Sequence, residues 1–145
     1  MSNKTAVVSG GTKGIGKAIV FKLMKNGFDV ITCSRNQNDL DGLKSETLTN
    51  NYEGTLYTFK ADVSKKDEVY AFAKYIQTKS DKVDVLVNNA GVFLPGEIST
   101  EKEGSLESMI NTNLYSAYHL SRSLIQGMIS RKSGDIFNIC SVASK

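Results

Sequence analysis

The chain has 145 residues, 40% hydrophobic and 23% charged, which fits a single ordinary soluble domain and excludes disordered, collagenous and low-complexity classes. Eighteen basic and 15 acidic residues leave a net charge of +3, too mild and too scattered to argue for nucleic acid or a membrane surface. No apolar run approaches the ~18 residues of a membrane span, and Met1 to Lys4 lead into a strand-like segment with no signal-peptide pattern. Cys33 and Cys140 have neither disulfide-framework nor metal-ligand spacing. The expectation is a reducing, cytoplasmic setting and no metal.

Thr5 to Ser9 predicts a buried strand. Gly14 to Asn26 predicts a helix with Ile15, Ala18, Ile19 and Leu23 on its apolar face, stopped at Asn26-Gly27. Asp29 to Ser34 predicts a second strand, and Leu40, Leu43 and Thr47 a second helix that Gly42 weakens. Thr55 to Ala61 predicts a third strand. Ser64 is placed to cap a third helix, whose apolar face is Val69, Phe72, Ala73 and Ile76. Val83 to Asn88 predicts a fourth strand. Leu106, Met109, Ile110, Asn113, Leu114, Ala117, Ser121 and Leu124 describe one long fourth helix, and Ile136 to Ser141 a fifth strand. Strand and helix alternate, and the strands are continuous apolar runs. That pattern predicts an α/β doubly wound parallel sheet covered on both faces. Ligands of such sheets bind beyond the carboxyl ends of the strands.

After the first strand comes Ser9-Gly10-Gly11-Thr12-Lys13-Gly14-Ile15-Gly16. Gly10 suits a tight turn, while Gly14 and Gly16 suit close approach of helix, sheet and ligand. Free N–H groups at the helix start then face a pyrophosphate. A Gly-Lys-Ser/Thr P-loop is absent from this turn. The Gly-x-x-x-Gly-x-Gly spacing resembles the cofactor motif of the classical short-chain dehydrogenase/reductase family. Four further segments resemble that family in the same order. Asp62-Val63 resembles its adenine-contacting pair, and Asn88-Asn89-Ala90-Gly91 its Asn-Asn-Ala-Gly signature. Asn113 resembles its catalytic-helix asparagine, and Asn138-Ile139-Cys140-Ser141 the segment carrying its catalytic serine. Taken singly, Asp62 also suits a helix lead-in, Asn88 and Asn89 suit turns, Asn113 a satisfied core amide, and Ser141 an ordinary strand end. The shared order favours the family.

The second strand ends in Cys33-Ser34-Arg35, where NAD binders usually carry an acid for the adenine ribose. Arg35 suits a 2′-phosphate or the adenine face, and Lys13 adds a second cation nearby. In the resembling family these two basic positions accompany NADP(H). The resemblance therefore implies a Rossmann nucleotide-binding domain. Its cofactor-binding residues would be Gly10, Thr12, Lys13, Gly14, Ile15, Gly16, Ser34, Arg35, Asp62, Val63, Asn89, Ala90 and Gly91.

The implied activity is an oxidoreductase moving a hydride between NADP(H) and a small-molecule carbonyl or alcohol. Ser141 would position the carbonyl, and Asn113 would hold a relay water. The family's proton donor is the Tyr of a Tyr-x-x-x-Lys motif about a dozen residues past the serine, with no counterpart before Lys145. Tyr70 and Lys74 have the spacing but precede the serine and sit in the third helix, a coincidence. The expectation is that residues 1–145 form the dinucleotide-binding domain, truncated after the fifth strand and lacking the catalytic and substrate part. Such a chain would be inactive alone. The longer protein would be a homo-oligomer, a dimer or tetramer with the fourth helix as one interface. Two rivals are a nucleotide-binding module without turnover and an FMN-binding flavodoxin-like domain. The long glycine turn and Asn-Asn-Ala-Gly disfavour the latter.

Overall fold

The computed structural model describes residues 3–50 and 52–141. Five strands form one sheet in the order β3-β2-β1-β4-β5. They are β1 (Thr5–Ser9), β2 (Asp29–Ser34), β3 (Leu56–Lys60), β4 (Val85–Asn88) and β5 (Asp135–Asn138). All pairs are parallel, with Val7 opposite both Ile31 and Leu86. Three helices connect the first four strands: α1 (Gly14–Lys25), α2 (Gln37–Leu48) and α3 (Lys66–Lys79). Between β4 and β5 lie α4 (Ser105–Ile110), a π-helical turn (Asn111–Tyr115) and α5 (Ser116–Arg131).

Because strand side chains alternate, the apolar runs supply two cores. Val7, Ile31, Cys33 and Leu86 pack with Phe72 and Ile76 of α3 and Leu120 of α5. Ala6, Val8, Val30 and Val87 pack with Val20 and Met24 of α1 and Leu43 of α2. Each fully buried aliphatic side chain contributes roughly 1.5–3 kcal/mol before ordering costs. Among the described residues, no helix is long and apolar enough to cross a membrane.

β1 and β2 match their expected bounds, and Val69, Phe72, Ala73 and Ile76 of α3 are all buried. Gly42 does not interrupt α2. Other expectations change: β3 and β4 start one and two residues later than expected, at Leu56 and Val85, and β3 ends one residue sooner, at Lys60. On α1 the buried stripe is Gly16, Val20 and Met24, not Ile15, Ala18, Ile19 and Leu23. Two apolar stripes lie side by side on this helix, and the one over β1 and β2 is buried. The other borders an open apolar groove with Val85, Val87, Phe137 and Ile139.

The long fourth helix also departs from expectation. The π turn inserts an extra residue and rotates the phase between α4 and α5. The buried residues are therefore Thr112, Ser116, Leu120, Leu124 and Met128, while Leu106 and Leu114 stay exposed.

Ser64 does not cap α3. The N-cap residue is Lys65, with no side-chain cap. Ser64 instead donates its Oγ to Asp62 Oδ1 at 2.7 Å, a nearer and charged acceptor. Glu68 of the first turn accepts the Asp62 N–H at 2.6 Å.

Finally, β5 begins one residue early, at Asp135, and ends at Asn138, so Ser141 lies three residues past it; the last ladder bond is the Ile139 N–H donating to the Asn88 carbonyl at 2.9 Å.

Candidate functional site

The turn after β1 sets the site. Gly10 holds φ +68°, a left-handed conformation that disfavours a side chain. Its N–H donates to the Cys33 carbonyl at 3.1 Å, binding the turn to the end of β2. Thr32 Oγ1 accepts the Gly11 N–H at 3.1 Å and donates to the Val8 carbonyl at 2.7 Å. At Gly16 a Cβ would overlap the Asn89 amide and the Gly10 carbonyl, so only glycine lets α1 sit this close. The N-terminus of α1 has no side-chain cap and no acid in its first turn. Its N–H groups and dipole thus favour an anion.

The loop after β4 closes on this turn. Ser9 Oγ accepts the N–H groups of Asn89 and Ala90 at 3.0 and 3.1 Å. Asn89 Nδ2 donates to the carbonyls of Ser9 and Gly10. Farther along, Asn113 of the π turn clamps Val92. Its Oδ1 accepts the Val92 N–H and its Nδ2 donates to the Val92 carbonyl, both at 2.8 Å. Asn113 is exposed, so it is not a core amide.

Between these loops and the ends of β2 and β3 lies a cleft of about 410 Å³. Ten of the expected cofactor residues line it: Gly10, Thr12, Lys13, Ser34, Arg35, Asp62, Val63, Asn89, Ala90 and Gly91. The other three, Gly14, Ile15 and Gly16, do not. Gly16 is buried behind the turn, and Ile15 faces the apolar groove beside β5.

Asp62 is held as an anion. Partial burial works against its charge, but the hydroxyl and N–H of Ser64, Lys65 and Arg35 together keep its carboxyl below the usual range. Cys33 lies at the cleft wall, where burial pushes its thiol up to about 12. It stays a neutral thiol rather than a nucleophile.

Sequence reasoning missed Asp39, which lines the cleft and pairs with Lys13, Nζ to Oδ2, at 2.8 Å. A partial signal was available: Asn36 is a residue type that caps helices, which puts Asp39 in the first turn of α2, as the structure has it with Asn36 accepting the Asn38 N–H. That this turn faces the glycine loop follows only from the tertiary packing.

A second, smaller cleft borders the first. Asn88, Asn113, Tyr118, Ser121, Asn138 and Cys140 are among its lining residues. Asn88 Nδ2 donates to Ser121 Oγ at 3.0 Å and to Asn138 Oδ1 at 2.9 Å, tying β4 to α5 and β5. Ser141 is exposed and follows Cys140 in the chain, but it is not itself among the residues lining this cleft. Tyr70 lies on α3 against α5, its hydroxyl 3.5 Å from His119 Nδ1, and borders neither cleft. Tyr75 and Lys79 repeat the Tyr-x-x-x-Lys spacing on α3 and are equally remote, with Lys79 Nζ 5.2 Å above the Tyr75 ring.

Residues 4–145 match the family model described as short chain dehydrogenase. The chain is 35% identical over 142 residues to the 3-oxoacyl-[acyl-carrier-protein] reductase of Buchnera aphidicola, covering 98% of this chain and 56% of that protein. It is 32% identical over 143 residues to dehydrogenase/reductase SDR family member 11 of Gallus gallus, covering 97% and 56%. The chain therefore spans about half the length of these relatives. A metagenomic short-chain oxidoreductase solved in complex with NADP superposes with a TM-score of 0.90 at 35% identity, over 99% of this chain and 64% of that one. L-sorbose reductase from Gluconobacter frateurii, solved with NADPH and L-sorbose, gives 0.85 at 26% identity, over 94% and 51%.

Proposed function

Because the chain belongs to the short-chain dehydrogenase/reductase family, we propose that it forms the NADP(H)-binding part of a carbonyl reductase or alcohol dehydrogenase. The carrying observation is the pair of cations, Lys13 and Arg35, lining one cleft with the glycine turn while β2 ends in Ser34 and not an acid. The donor set fits a phosphorylated dinucleotide. The uncapped α1 N-terminus takes the pyrophosphate, and Arg35 with Lys13 takes the 2′-phosphate. Asp62 and Val63 border the adenine. The cofactor, when bound, supplies the hydride.

The chain's own residues bind, orient and shield. Asn89 keeps the turn and the β4 loop at a fixed separation. Asn113 fixes the loop through the Val92 backbone, and its amide keeps one N–H and one lone pair with which it would hold a relay water. Ser141 would donate a hydrogen bond to the substrate carbonyl. The proton donor and the substrate pocket would come from outside residues 1–145, and the working protein would be an oligomer acting on a small molecule. NADP- and NADPH-bound relatives support this cofactor choice. The test is calorimetric titration of the chain with NADPH and NADH. NADPH should bind more tightly. Equal affinities overturn the NADP assignment, and no binding of either overturns the nucleotide site.

A further inference from the structure

We infer that Asp39 is a specificity-determining residue that weakens the preference for a 2′-phosphorylated cofactor by holding Lys13. This inference rests on the nucleotide reading above and deepens it.

Four charged side chains line the main cleft: Lys13, Arg35, Asp39 and Asp62. Asp62 is engaged with Ser64. Asp39 is paired with Lys13. The two partners differ in freedom. Asp39 is short, its side chain only 23% exposed, on a helix anchored by buried Leu40 and Leu43. As an acid in the first turn, it is also favoured there by the helix dipole. Lys13 is 74% exposed on a flexible four-carbon stem. The carboxylate is therefore the fixed partner and the ammonium the movable one.

A dianion seated between Arg35 and Lys13 must draw Lys13 away from Asp39. A cofactor ending in a free 2′-hydroxyl makes no such demand. The ion pair thus acts against one ligand and not the other, which is how a discriminating residue works. The cleft lining carries two cations and two acids, and Asp39, the acid in contact with Lys13, reduces the positive field that attracts phosphate.

The experiment titrates the full chain with adenosine 2′,5′-bisphosphate and with adenosine 5′-monophosphate, by calorimetry at low salt. Asp39→Asn should tighten the bisphosphate by about three- to tenfold, as expected for removing one partly exposed competing ion pair. The monophosphate should stay within about twofold, which also reports that the site remains folded. In a Lys13→Met background the gain from Asp39→Asn should shrink, because the lysine that Asp39 holds is gone. A gain of the same size there shows that Asp39 does not act through Lys13 and overturns the inference. So does an unchanged ratio of the two affinities in Asp39→Asn, while a wild-type preference for the bisphosphate leaves the nucleotide reading standing. Failure of either nucleotide to bind any variant overturns both together.

Discussion

Asn89 donates its Nδ2 to the Gly10 carbonyl at 3.0 Å, latching the loop after β4 to the turn after β1. The same nitrogen reaches the Ser9 carbonyl at 3.1 Å, and the latch lies directly over Gly16. Both bonds use the amide nitrogen, and they hold the two loops that frame the cleft together.

Asn89→Ala should therefore weaken both nicotinamide cofactors together instead of changing the preference between them. Two partly buried carbonyls would lose their donor, costing about 1–3 kcal/mol in stability. Urea unfolding measures the loss, and paired NADPH and NADH titrations measure the affinities. A selective effect on one cofactor would contradict the latch.

Arg35→Asp should reverse the cofactor order. The new carboxylate would face a 2′-phosphate at the end of β2 but could accept from a ribose hydroxyl. Like-charge juxtaposition should cut NADPH affinity about tenfold or more, while NADH is held or improved. Calorimetric titration of the variant with both cofactors checks this. Retained NADPH preference would place the phosphate elsewhere.

Ser141→Ala should lower turnover and leave NADPH affinity unchanged, in any preparation of the protein with measurable carbonyl reduction. Loss of one positioned hydrogen-bond donor corresponds to about 10²–10³ in kcat. Steady-state kinetics alongside NADPH titration separate the two quantities. A change confined to NADPH binding would remove Ser141 from the substrate side.

Stability should fall in acid through Asp84. This buried residue accepts the Thr5 N–H at 2.9 Å and pairs with Lys82 at 2.7 Å. Burial opposes its charge, but Lys82 and the Thr5 N–H outweigh it and hold the carboxyl below its usual range. A depressed folded pKa gives stability that is present above the unfolded value of about 4 and is lost as pH falls through the folded one. Asp84→Asn should be less stable at neutral pH and lose less on acidification, with Asp62 and Glu68, also depressed, keeping part of the slope. Urea midpoints from pH 7 downward provide the check; parallel curves for both proteins would show that Asp84 contributes nothing to the acid limb.

Much of the fold was legible because its signals are local. Unbroken apolar runs at Thr5–Ser9 and Asp29–Ser34 imply strands buried on both faces, and the i, i+3, i+4, i+7 spacing from Val69 to Ile76 names the buried side of α3. The glycine spacing after β1 and the cations Lys13 and Arg35 identified most of the cleft's lining, since each lies just past a strand end. The bounds of β4 and β5 were less legible: the apolar run suggests a start at Val83 where the strand begins at Val85, and Asp135 opens β5 without looking like a strand residue.

The amino-acid sequence by itself determined the alternation of strands and helices, the parallel sheet and the glycine turn after β1, all encoded in short windows. Only the tertiary structure decided which of two apolar stripes on α1 is buried, because that depends on where the helix sits over β1 and β2. It alone showed the π turn that rotates α5, because an extra residue in a helix is invisible until both ends are packed. It alone brought Asp39 to Lys13, because they lie on separate segments, α2 and the glycine turn. Their 2.8 Å contact exists only once β1 and β2 pair and aim both loops into one cleft.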